Sequence, residues 1–208
     1  MRLTTTALRQ TLTAVLLALC TALPSAAENA GAVAVVENLH AALLDIMQNA
    51  ESLGYAGRRD RIAPIIEESF DLQFLTRFAV GRSWSDLSTE QRNVMVDVFS
   101  RWTIGHYAAR FNGYSAEQFE TISSKPARKG RELVRTVLKI NNDPGENVSL
   151  DYLLQESGGK WRIVNVIANG VSDLSLKRAD YGAVIKTQGL DSLIAKLNGQ
   201  IGEFETAD

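Results

Sequence analysis

The feature that most constrains this chain is a change of hydrophobic period near Gly113. Upstream, apolar residues recur in steps of three and four; downstream, they alternate. The first spacing belongs to helices and the second to strands, so a helical half precedes a sheet. Val33 to Leu53 places Val36, Leu39, Leu43, Ile46, Met47 and Ala50 on one helical face, with Gly54 and Gly57 to end it. Arg58 to Glu68 reads as a second short helix, kinked where Pro64 removes a donor. Asp71 is placed to cap the turn that follows, and Gly81 to stop it. Ser88-Thr89-Glu90-Gln91 has the spacing of a capping box, in which serine and glutamine each satisfy the other's backbone amide. It opens the main helix, whose stripe is Met95, Phe99, Trp102, His106 and Ala109, flanked by Val94 and Val98.

Beyond Gly113, Val134, Thr136, Leu138 and Ile140 share one strand face, and Val148, Leu150, Tyr152 and Leu154 repeat the pattern after the turn Asn141 to Gly145. Gly158-Gly159 turns the chain into a strand from Trp161 to Ala168, and Gln118 to Ser123 reads as a fourth. The Trp161 strand is apolar on both faces, Trp161, Ile163 and Ile167 on one and Val164, Val166 and Ala168 on the other. That pattern predicts a central strand covered on each side. Asn169-Gly170 ends the sheet. Ser172 or Asp173 caps a helix to about Thr187, and a last helix runs from Leu190 to Leu197. The expected fold is α+β: helices at both ends packed on a curved antiparallel sheet of about four strands, with no repeat or linker to mark a second domain.

Residues 1–27 read as an export signal. Arg2 and Arg9 precede a short apolar run, Leu12 to Leu19, and Ser25-Ala26-Ala27 offers small residues for cleavage before Glu28. The run is well short of the roughly 20 residues needed to span a bilayer. Residues 28–208 are therefore expected as one exported domain in the periplasm. Cleavage removes the lone cysteine, Cys20, and with it any disulfide or thiolate chemistry in the mature chain. It also takes the formal net charge from −2 to about −4, which argues against nucleic acid as a partner. The one basic cluster, Lys125 to Arg131, reads as a solvated loop, with Lys125, Arg128 and Lys129 as candidates for contact with anionic headgroups.

Motifs for catalysis are absent. The histidines are His40 and His106, too far apart for a paired metal motif; His40 is expected at the surface or boundary, and His106 in the core with one hydrogen-bond partner. Gly81-Arg82-Ser83 and Gly113-Tyr114-Ser115 lack the closing glycine of a nucleophile elbow, and Glu67-Glu68 point apart on a helix. No metal or cofactor is expected, and no enzymatic activity.

The order Phe70-Asp71, Phe78, Gly81-Arg82-Ser83-Trp84, Ser88 to Arg92, Phe99 and Tyr107, continued by Trp161 to Val166, Gly170-Val171-Ser172 and Gly189 to Ile194, resembles the MlaC family of periplasmic lipid carriers, related to toluene-tolerance proteins. Asn165, where that family carries an aspartate, and the run Asp173 to Tyr181 are similar instead to HpnM, its hopanoid-associated branch. The resemblance implies a lipid ligand, hopanoid or phospholipid, with tails enclosed between helices and sheet. It also implies transient membrane contact, an inner-membrane transporter of the MCE/ABC or RND type, and an outer-membrane acceptor. From the strand and helix faces, the expected pocket residues are Phe99, Trp102, Val134, Leu138, Leu150, Tyr152 and Ile163. Two rivals remain open: a small NTF2-like enzyme with His106 as base, and an envelope adaptor with a solid core.

Overall fold

The structure, a computed structural model, describes residues 26–140 and 144–206. Most of the expected export signal, residues 1–25, and Asn141 to Asp143 of the expected turn lie outside the described residues. Among the described residues, no helix is long and apolar enough to cross a membrane.

Helix α1 spans Ala26–Gln48 and α2 spans Ala50–Ser69. The predicted stripe of α1 is fully realised: Val36, Leu39, Leu43 and Ile46 are completely buried. Gly54 does break the helical path, at φ 58° and ψ 179°, but the chain resumes helix at once and carries Pro64 in its interior. The boundary between the two helices falls earlier, at Asn49. Helix α3, Leu72–Val80, starts where the Asp71 carboxylate accepts from the Phe74 amide at 2.9 Å and stops at Gly81, whose φ of 73° suits glycine. A 3-10 turn, Gly81–Asp86, leads to α4, Thr89–Arg110. Both arms of its capping box are formed: Gln91 N donates to Ser88 Oγ at 3.2 Å, and Ser88 N donates to Gln91 Oε1 at 2.9 Å.

The sheet is a meander in the order β1-β2-β3-β4-β5, all antiparallel: β1 Gln118–Ala127, β2 Arg131–Lys139, β3 Val148–Ser157, β4 Lys160–Ala168 and β5 Val171–Ser172. The fifth strand, two residues long, was not expected. Val134 lies opposite Tyr152, and Thr136 opposite Leu150, so the predicted faces of β2 and β3 coincide. Strand β4 corrects the sequence reading. Leu154 pairs with Ile163 and Leu153 with Asn165, which leaves Val164 as a bulge. The extra residue reverses the alternation, so that Ile163 and, beyond the bulge, Val166 and Ala168 face the same way. Much of what reads as two apolar faces is one face with a phase jump, while Ile167, opposite Asp151, points the other way. Nor is β4 central, since its outer edge is covered only by β5 and by a bridge from Phe70.

Helix α1 packs on the sheet, α4 lies against α2, α3 and α6, and α5, Asp173–Gln188, rests on α3, α6 and β4. Helix α6 runs Leu190–Thr206, well past the expected end. Ser172 joins sheet to helix without a loop. It pairs with Ile167, its hydroxyl accepts from the Ser175 amide at 3.1 Å to cap α5, and the same hydroxyl donates to Asn165 Oδ1 at 3.0 Å.

Candidate functional site

Where α1 and α2 close over the sheet, the interior is solid: Val134, Leu154 and Ile163 meet Ile62, Ile66 and Met95 with no exposed surface left. Toward the other end of the sheet the layers part. A cavity of about 540 Å³ opens there between α4 and the sheet, and apolar surface dominates its lining. Phe99, Trp102, Thr103, His106, Tyr107 and Arg110 of α4 form one wall, and Leu138, Leu150, Tyr152, Val166 and Ala168 of the sheet the opposite one. Asp173, Leu174 and Lys177 of α5 form the side, and the irregular run from Phe111 to Glu117 borders the rest. A second, more polar cleft of about 570 Å³ adjoins it at Met47, Asn112 and Gly113.

Many of the polar side chains that border the cavity are committed to partners. Trp102 Nε1 donates to Gln200 Oε1 at 2.8 Å, which fixes the indole, and His106 stacks on it at 4.9 Å. Lys177 Nζ sits 4.6 Å above the same indole and pairs with Asp173 at 2.5 Å. Desolvation by the surrounding walls, although His106 keeps an exposed edge, and then the Lys177 charge lower the imidazole pKa below its ordinary value, so the ring is neutral at pH 7. Burial likewise raises the Tyr107 hydroxyl, as do Tyr152 and Asp173 nearby. Among the described residues no cluster of histidine, cysteine and acidic side chains could hold a metal ion. The arrangement can enclose an apolar body.

Comparison with known proteins places this architecture. The family model described as MlaC protein matches residues 37–199, most of the chain. The chain belongs to the MlaC family. Among solved structures, it is similar to the phospholipid-binding protein from Ralstonia solanacearum, determined in complex with a phospholipid. The TM-score is 0.68 at 21% identity, over 83% of this chain and 98% of that one. At that identity the likeness is one of fold.

In this member of the MlaC family, Phe99, Trp102, Leu138, Leu150 and Tyr152 line the cavity. Val134 and Ile163 do not: both are completely buried, farther along the sheet where α1 and α2 cover it. Lys125, Arg128 and Lys129 are also elsewhere. They belong to the β1–β2 hairpin, whose tip lies beyond the Ala127–Arg131 pair, whereas the cavity begins near the Phe119–Leu138 pair. Seven residues of strand, about 23 Å, separate the two ends.

Both histidines depart from expectation. His40 is buried rather than peripheral: its Nε2 shares a 3.0 Å hydrogen bond with the Tyr152 hydroxyl, its ring stacks on Phe119 at 4.0 Å, and desolvation lowers its pKa to about 4. The signal was present, because Val36 and Leu43 stand four before and three after it, which puts it on the buried face. His106 has no hydrogen-bonded core partner among the described residues and faces the cavity instead. Arg110, Asp173 and Lys177 went unpredicted, since charged residues on a helix read as solvated surface.

Proposed function

We propose that this protein is a periplasmic lipid carrier that moves a membrane lipid, hopanoid or phospholipid, between the inner and outer membranes. Residues 28–208 form the single carrier domain after cleavage of the leader. The carrying observation is the apolar cavity between α4 and the sheet. A methylene takes about the room of a water molecule, roughly 30 Å³, so about 540 Å³ accommodates about 18 methylenes, one long alkyl chain. At about 0.8 kcal/mol each, hiding them from water is worth roughly 14 kcal/mol, which is what makes crossing an aqueous gap without a carrier slow.

The carrier needs shape-tolerant walls more than chemistry, and these walls are mainly aromatic and aliphatic. The phospholipid held by the Ralstonia solanacearum protein of the same fold supports the lipid reading. Asn165, Asp173, Leu174 and Lys177, in the segments similar to the hopanoid branch, contribute to the cavity wall, which supports cargo choice being made there. An inner-membrane transporter of the MCE/ABC or RND type and an outer-membrane acceptor are the partners this reading requires.

Native mass spectrometry of protein purified from cell envelopes tests it, with transfer of labelled lipid between donor and acceptor vesicles. Co-purified lipid and accelerated transfer, both reduced by Trp102→Ala, are the expected result. Protein free of lipid, with transfer no faster than without protein, overturns the proposal.

A further inference from the structure

The charged side chains of the cavity differ in how they are employed. Asp173 and Lys177 neutralise each other, and Glu117 accepts from the Ser115 amide. Arg110 makes no hydrogen bond or ion pair among the described residues, yet it borders the cavity. It is the uncommitted charge of the lining. Its position is also ordered. Phe99, Trp102, His106 and Arg110 follow one another along the cavity side of α4, so this wall grades from apolar to cationic over about three turns. His106 precedes Arg110 by one turn and is near enough for the guanidinium to disfavour its protonation. A neutral imidazole still offers one N–H and one lone pair.

We propose that the cavity selects an amphiphile with an acidic head, phosphate or carboxylate, whose oxygens are held at the rim by the Arg110 guanidinium with the His106 N–H as second donor. This rests on the lipid-carrier reading and adds to it the chemistry of the head. The geometry of the guanidinium suits it, because its planar fork meets two oxygens of one anion at once. An apolar chain in the slot brings the head to that rim, and a free anion has no such chain to hold it.

The test is isothermal titration of the mature protein at pH 8 with palmitate, hexadecyl phosphate, uncharged 1-monopalmitoylglycerol and inorganic phosphate. Both acidic amphiphiles are expected to bind roughly ten- to a hundredfold more tightly than the neutral one, the worth of one charge-assisted contact. The carboxylate and phosphate arms show which head is preferred. Arg110→Gln should bring the ratio close to one, Arg110→Lys should leave an intermediate ratio, and Arg128→Gln at the distant hairpin should leave it untouched. Equal binding of acidic and neutral amphiphiles overturns the proposal, as does a ratio that survives Arg110→Gln in folded protein. Binding of inorganic phosphate as tight as that of hexadecyl phosphate makes the rim a free-anion site and also overturns it. If no amphiphile binds, the carrier reading itself falls; if only the acidic preference is missing, that reading stands.

Discussion

Replacing His40 with glutamine isolates a buried ionisable group whose energetic cost can be worked out. The imidazole lies between Phe119 and the Tyr152 hydroxyl with almost no exposed surface, and desolvation lowers its pKa from 6.5 to about 4. Between those values the unfolded chain binds a proton at this position and the folded chain does not. Folding stability therefore falls as pH drops through 6.5, and this contribution levels off below about 4. At 1.36 kcal/mol per pH unit, the span from 6.5 to about 4 is worth about 3 kcal/mol, a large share of the 5–15 kcal/mol typical of a domain. Carboxylates titrate in the same range, and His106, also depressed, acts in the same direction, so the wild-type profile alone does not isolate His40. Glutamine keeps a hydrogen-bonding group for Tyr152 and does not titrate. Urea unfolding followed by tryptophan fluorescence from pH 7 to pH 4 should show wild type losing about 3 kcal/mol more than His40→Gln. Parallel profiles would refute the burial argument.

Three further outcomes follow from the packing. Ser88→Ala removes one arm of the capping box of α4 and should cost about 1 kcal/mol, or about 2–4 °C in Tm; an unchanged calorimetric Tm would mean that the box contributes nothing. Gly105→Val brings a Cβ within 2.8 Å of the Tyr55 hydroxyl oxygen and 3.1 Å of the Phe204 ring, so thermal unfolding should report a loss of about 1–3 kcal/mol, and full stability would show that the α2–α4–α6 contact is loose. Leu150→Trp adds bulk at the sheet wall of the cavity and should lower lipid occupancy in native mass spectra while circular dichroism stays unchanged; undiminished occupancy would place the cargo elsewhere.

What the sequence made legible was local. The Ser88 box, the Asp71 cap and the Val36-to-Ile46 stripe depend on residues within one or two turns, and each formed as its spacing required. The faces of β2 and β3 were equally readable, because alternation is a property of the strand alone. Whether a face meets solid core or a cavity is not. Val134 and Leu138 share one face, yet Val134 is completely buried and Leu138 lines the cavity, a difference set by helices from other parts of the chain. The bulge at Val164 was hidden for a different reason: an extra residue inside an apolar run leaves the run apolar. The distance of the basic hairpin from the cavity was hidden too, because composition does not reveal which end of a strand pair borders an opening.

The triple role of Ser172 has a mechanical consequence. Its backbone pairs with Ile167 at the end of the sheet while its hydroxyl ties the first turn of α5 to the side chain of Asn165, with no spacer between strand and helix. The part of the cavity wall made by Leu174 and Lys177 is thus a stiff extension of the sheet, like the fixed jaw of a clamp. Another border, Phe111 to Glu117, has no regular hydrogen-bonded ladder and includes Ala116 at a φ of 66°. Fewer backbone hydrogen bonds hold that side, so a bulkier ligand is expected to displace the loop before the helix.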